Sequence, residues 1–595
     1  MIYLKIAERL AKLRELMNER GIDFYIIPSS DYHQSEYVGE HFKCREWISG
    51  FTGSAGTVVV TQDMAGLWTD GRYFIQAAKQ IEGTGITLFK MREPGVPTYA
   101  EFIGDKIKKG QCVGFDGRVL SVEQVGELKS KFKFDDIKIN CDYDLIGELW
   151  EDRPALASST AFVLDTKYCG EETKSKLARI REILVKENCD MNVVSSLDDI
   201  AWIFNLRGND VKCNPVNLAY ATITADRAIL YINEKKLDEK VEKYLFNNWI
   251  EVRDYDEIFE DMELISNSDV LMMDFHKINY KVFSSLKKSV KVVNRKNPST
   301  LMKACKNDVE LDNLRNCHLR DAVAVTKFMY WLKNTIGKEK ITEISASDVL
   351  EGFRKAQKLY IEPSFDTISA YGANAAMMHY KATKESDTEL KPEGLLLVDS
   401  GGQYYDGTTD ITRTYVLGKC DEKIKRHFTL TLKGMIKLSK VKFLHGVTGT
   451  NLDILARQSL WEEGIDYKCG TGHGVGFLLN VHEGPQGIRV QYNPQVLEEG
   501  MNVTNEPGVY IEGSHGIRLE NELIVRKDEA TEFGQFMRFE TMTYVPLDLD
   551  GVIPELLSCD EKEWLNNYHK MVFDKVSPYL EEKEKEWLKK YTKEI

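Results

Sequence analysis

The segment LLLVDSGGQYYDGTTDITRTYVL, residues 395–417, decides how this chain is read. Leu395 to Val398 is an apolar run fit for a buried strand, and Ile411 to Val416 alternates with period two. Asp399 and Asp410 nevertheless sit inside these segments. The Gly and Asp residues between them suit a tight reversal, so the two strands are expected to run antiparallel and close together, with Asp406 serving the turn. A second acidic pair follows in TNEPGVYIEGSHGIRLENELIV, residues 504–525, where a hairpin folded about Gly513 brings Glu506 opposite Glu520, each seven residues away. Like charges facing each other across a strand pair are destabilising, and burial worsens the conflict unless a proton or a cation neutralises it. One such pair can point to water. Two pairs in succession imply a shared positive guest, and two divalent ions suit that charge.

GTGHGVGFLLNVHEGP, residues 470–485, supplies imidazoles. The glycines around His473 let backbone and metal approach without Cβ obstruction, and His482 follows nine residues later. The run is neither a GxGxxG fingerprint nor a P-loop. His482-Glu483 does not begin an HExxH motif, because the fifth position is Gln486 and Pro485 would interrupt the helix. Neither TGSAG nor EGSHG is the GxSxG elbow of serine hydrolases. Four carboxylates and one imidazole make an oxygen-rich site that favours manganese- or iron-like ions. Two such ions about 3.5–4 Å apart lower the pKa of a shared water and stabilise the oxyanion formed on carbonyl attack. Amide hydrolysis is the expected chemistry.

At 595 residues the chain exceeds one core. A formal charge of −14 argues against a broad nucleic-acid surface, and no run approaches the roughly 18 apolar residues of a membrane helix. No signal-like segment opens the sequence and the eleven cysteines are unclustered, so reduced thiols and a cytoplasmic location are expected. Helix, strand and turn material up to about residue 155 is echoed near Asn192-Val193-Val194-Ser195-Ser196, which resembles Tyr25-Ile26-Ile27-Pro28-Ser29-Ser30. This predicts an α/β multidomain chain with two related N-terminal α/β domains, 1–155 and 156–300, ahead of a third domain, 301–595. In the third, a helix capped at Asn307 or Asp308 places Leu311, Leu314, His318, Ala322, Val325, Phe328 and Leu332 on one core-facing side. The charged helical tail after Pro554 reads as solvated surface or a subunit contact.

The ordered motifs DSGG, GTTDITRT, GTGHGVG, VHEGP, NEPGVY and GIRLEN, with REWISGFTGSAGTVVVT and LWTDGRYF upstream, resemble the pita-bread metallopeptidases, and among them the three-domain aminopeptidases P. The resemblance implies two creatinase-N-like domains followed by a pita-bread α+β catalytic domain. It implies that Asp399, Asp410, His473, Glu506 and Glu520 hold two metal ions, commonly Mn2+, with Glu506 as general base. His379 and His482 would be the family's active-site histidines, and Arg518 would fix a ligand carboxylate. Substrates would be peptides with proline in second position, and a homodimer is implied. Relatives often carry histidine where this chain has Cys469, which alters the pocket but not the ligand set. The alternatives are prolidase, limited to Xaa-Pro dipeptides, and a catalytically inactive peptide-binding relative.

Overall fold

The computed structural model describes residues 2–595. They form two compact units, one running up to Leu164 and resuming over Glu171–Thr300, the other comprising Asp165–Gly170 and Leu301–Ile595.

The first unit contains one topology twice. One six-stranded sheet has the order Thr87–Lys90, Ala65–Thr69, Thr57–Val60, Phe24–Pro28, Cys112–Gly114, Lys138–Asn140. The other has the order Glu251–Arg253, Ala228–Ile232, Ala219–Thr224, Met191–Val194, Val270–Met273, Lys291–Asn294. Strand directions correspond at every step: two antiparallel pairings join the second, third and fourth strands of each order, and the remaining pairings are parallel. The short echo between residues 25–30 and 192–196 therefore lies on equivalent strands. The two copies meet through buried polar contacts, in which His33 bonds the Ser195 carbonyl at 2.8 Å and the Tyr255 hydroxyl at 2.7 Å.

In the second unit the helix Asp308–Thr335 begins with a capping box between Asn307 and Glu310 and buries all seven residues of the face read from its periodicity. Its apolar side joins a core with the helices Glu343–Lys355 and Glu422–Ser439 and the antiparallel strands Ile368–Tyr371, Leu395–Ser400 and Ile411–Val416. A six-stranded sheet including Gly472–Gly474, Glu483–Ile488, Asn502–Asn505 and Asn521–Thr531 stands alongside.

The tail departs from its expected role. The helix Cys559–Val576 buries Leu565, Tyr568, His569, Val572 and Val576, and Leu588 of the last helix is also buried. These residues recur every three or four positions, so the high charge density belongs to the opposite, solvated side of a packed helix. No helix among the described residues is long and apolar enough to cross a membrane.

Candidate metal centre

One strand and three strand-flanking stretches carry the acidic residues to one place. Leu395–Ser400 and Ile411–Val416 are antiparallel, with Asp399 facing Thr412 and Ser400 facing Ile411. Asp410 is therefore diagonal to Asp399, two positions before its partner, rather than directly opposite. Between them lies a small hairpin, Gly402–Tyr404 with Gly407–Thr408, whose turn contains Asp406. The Asp406 carboxylate is buried and pairs with Arg320. In the next hairpin Gly508 faces Arg518 and Ile511 faces His515. Continuing that register by two residues sets Glu506 against Glu520, with Gly513 in the left-handed region at the tip (φ +72°).

The side chains converge. Ligand atoms of Asp399, Asp410 and Glu520 lie within 4.8 Å of one another, as do those of His473, Glu506 and Glu520, and those of Asp410, His473 and His482. The His473 Nδ1–H donates to the Gly474 carbonyl at 2.9 Å, leaving Nε2 with its lone pair 3.4 Å from both Asp410 and Glu506. Thr504 accepts the His473 backbone N–H at 3.0 Å and donates to Glu506 Oε1 at 3.2 Å. The alternating glycines have a steric cause: a Cβ on Gly472 would stand 1.9 Å from the Thr504 carbonyl oxygen, and one on Gly474 would stand 2.1 Å from that of Glu483.

This gathering is electrostatically costly. Burial, and then repulsion from neighbouring carboxylates, holds the pKa values of Asp410 and Glu520 well above the usual carboxylate range. Asp399 Oδ1 is buried without a hydrogen-bond partner. One guanidinium answers these charges. Arg518 pairs with Asp399 Oδ2 and donates to the Thr412 hydroxyl at 3.2 Å, the Tyr510 hydroxyl at 2.7 Å and the Met378 carbonyl at 3.3 Å. Burial opposes its charge, but Tyr510, Asp399 and Glu506 outweigh that and raise its pKa. A single positive charge against Asp399, Asp410, Glu506 and Glu520 leaves a deficit that divalent cations fit, and the oxygen-rich donor set with one imidazole suits hard ions.

Both remaining histidines are nearby. The His482 ring centroid is 4.3 Å from that of His473, nearly perpendicular at 83°. His379 follows Met378, whose carbonyl receives Arg518.

Family models match along the chain: Creatinase/Prolidase N-terminal domains over residues 9–141 and 152–310, Metallopeptidase family M24 over 312–527, and the C-terminal region of peptidase M24 over 535–595. A probable Xaa-Pro aminopeptidase P of Paracoccidioides brasiliensis (strain Pb03) is 41% identical across 97% of this chain and 97% of its own length. The chain belongs to the aminopeptidase P family. Aminopeptidase P2 of Arabidopsis thaliana is 42% identical over 97% of this chain and 86% of its own. A crystal structure of X-prolyl aminopeptidase from Caenorhabditis elegans, described as a cytosolic enzyme with a di-nuclear active site, superposes with TM-score 0.94 at 34% identity, covering 99% of this chain and 100% of that one. The aminopeptidase P architecture of two creatinase-N domains and a pita-bread domain is thus the architecture of this chain.

Around the metal centre several supporting residues escape motif reading. Glu522 is fully buried, accepts the Asp410 backbone N–H at 2.7 Å, pairs with Asn502, and lies 3.4 Å from His318 Nε2. The interior His318 thus abuts a carboxylate behind the site. The signal was present, since Glu520 and Glu522 are two apart in a strand-like run. Thr412 donates to Glu520 Oε2 at 2.7 Å, a contact no spacing rule announces. Buried Glu483 pairs with buried Lys306, anchoring the segment that carries His482. At the departure from the family pattern, burial and the Glu506 charge push the Cys469 thiol up to about 11, with Tyr510 beside it, so a neutral thiol occupies that position.

Proposed function

We propose that this chain is a metal-dependent aminopeptidase that releases the N-terminal residue from peptides with proline in second position. The observation that carries the proposal is the convergence of Asp399, Asp410, His473, Glu506 and Glu520 from five separate segments into overlapping triads. Full-length similarity to Xaa-Pro aminopeptidases supports it. Those five residues would hold two divalent ions; the donor chemistry favours manganese- or iron-like ions, and the family resemblance implies Mn2+. We further assign domains at 1–155, 156–300 and 301–595 and a cytoplasmic location from the sequence pattern, and a homodimer as the resemblance implies.

Bound there, the two ions would supply an acidified water and Lewis acidity toward a peptide carbonyl. The chain's own residues supply the rest. Glu506 Oε1, oriented by Thr504, accepts the proton of the attacking water and returns it to the proline nitrogen as the amide bond breaks. His379 and His482 place imidazole donors for the peptide and for the carbonyl oxygen as it gains charge. Arg518 fixes Asp399 through one hydrogen bond while its other donors tie Thr412, Tyr510 and Met378. Cys469 is protonated and is not used as a nucleophile.

Metal analysis of the purified protein with product identification from an Xaa-Pro-Xaa tripeptide and an Xaa-Pro dipeptide tests this. Release of the first residue from the tripeptide by metal-loaded protein is expected. Cleavage of the dipeptide alone would convert the assignment to prolidase, and metal binding without cleavage of either would convert it to an inactive relative.

A further inference from the structure

Arg413 lies in the DITRT segment but on the other side of its strand from Asp410, Thr412 and Thr414. Its strand neighbours on that side, Ile411 and Tyr415, belong to the main apolar core, and Arg413 itself is only 1% exposed. Its hydrogen bonds end on neutral oxygens: Nε donates to the Pro546 carbonyl at 3.1 Å, and one terminal nitrogen to the carbonyls of Thr412, at 2.9 Å, and Glu520. The other terminal nitrogen donates to Asn521 Oδ1 at 2.8 Å, the Val545 carbonyl at 2.8 Å and the Tyr568 hydroxyl at 2.9 Å. A cation buried without a carboxylate is expensive, so the position calls for a cause. Residues 519–520 and 542–548 are outside any strand, and their buried carbonyls need donors that no sheet partner provides. A planar guanidinium with five N–H donors can serve several at once.

We infer that Arg413 is a positioning residue for the carboxylate cluster, and that it makes the C-terminal helix Cys559–Val576 a working part of the metal centre. By gripping the carbonyls of Thr412 and Glu520 together it braces the junction at which the Glu520 N–H donates to the Thr412 carbonyl at 3.2 Å and the Thr412 hydroxyl donates to Glu520 Oε2 at 2.7 Å. Tyr568 locks the far side of the same guanidinium and also contacts the Val545 carbonyl at 2.7 Å and the Thr543 carbonyl at 3.0 Å. A displacement of this helix therefore reaches Glu520 through the shared guanidinium, and its neighbour Asn521 through the Tyr568 hydroxyl, which donates to Asn521 Oδ1 at 3.3 Å. Contact with solvent or with a peptide plays no part, because both Arg413 and Tyr568 are buried.

The inference rests on the metal-site assignment above, and the test separates the two. Full-length wild type, Arg413→Lys, Arg413→Met and Tyr568→Phe are titrated with Mn2+ by calorimetry, and kcat and KM are measured on an Xaa-Pro-Xaa tripeptide. Tyr568→Phe keeps the ring in the core and is the deciding variant if either Arg413 substitution fails to fold. Tyr568→Phe is expected to lower the affinity of the weaker Mn2+ site by on the order of 10-fold, the scale of losing an outer support of a metal ligand. Arg413→Lys is expected to lose more, and Arg413→Met more than Arg413→Lys. With metal limiting, kcat falls and KM holds, and saturating Mn2+ restores kcat, a rescue that loss of folded protein does not give. Wild type that binds two Mn2+ alongside a folded Tyr568→Phe of equal affinity would overturn this inference alone. Wild type that binds no Mn2+ would overturn the metal assignment and the inference together.

Discussion

Metal binding at this centre should release protons, and the number follows from the carboxylates. Asp410 and Glu520 are buried within one cluster and held well above the ordinary range of about 4. Without cations, protons offset their repulsion, and a divalent ion must displace them. The two groups titrate as a pair, in two steps that belong to both. Between about one and two protons should therefore leave, corresponding to a gain in affinity on the order of 10- to 100-fold per pH unit while the pair remains protonated. Calorimetry with Mn2+ in two buffers of equal pH and different ionisation enthalpy, repeated from roughly pH 5.5 to 8, reads the number directly. Glu520→Gln should reduce it by about one. Release of less than about half a proton, with affinity flat across the range, would refute the reasoning. The same protons fix the sign of stability. Because the folded pKa values lie above the unfolded ones, the stabilisation these groups give the metal-free chain is complete below the unfolded carboxylate range and lost as pH rises through the raised values. Thermal midpoints with and without a chelator should diverge as pH increases.

Glu506→Ala should lower kcat on a tripeptide by about 10²- to 10⁴-fold, the range of general-base loss, while circular dichroism stays native. Undiminished turnover would remove Glu506 from the reaction. Lys306→Met should cost about 3–5 kcal/mol in chemical denaturation, since it leaves Glu483 buried with only Lys303 at 3.7 Å. Adding Glu483→Gln should recover most of that loss, and no recovery would show that the pair matters through packing alone. Cys469, with its thiol pushed up to about 11, should react with iodoacetamide at pH 7.5 far more slowly than exposed Cys559, as read by peptide mapping.

The sequence disclosed most where a physical conflict was visible. Glu506 and Glu520 were paired by counting outward from Gly513, and the register Gly508 to Arg518 obeys that count. Periodicity identified the buried face of Asp308–Thr335 because helix geometry alone places those residues. Asp399 and Asp410 were expected near each other, but their diagonal offset depends on the inserted hairpin at 402–408, whose pairing no local pattern specifies. The tail was misjudged because charges outnumber the few residues that pack, and burial of Tyr568 depends on a partner, Arg413, 155 residues away in sequence. Thr412 and Lys306 are silent for the same reason: their partners are fixed by tertiary contact rather than spacing.

The hairpin around Gly513 constrains how this chain can change in length. Its tip, Glu512–Ser514, is exposed and can absorb extra residues without touching the arms. Removal of one residue from either arm would rotate everything beyond it to the opposite side of the ribbon and send one glutamate outward. Insertions and deletions in descendants of this sequence should therefore gather at the tip, and a lineage that altered one arm by a single residue would have forfeited its cations in one step.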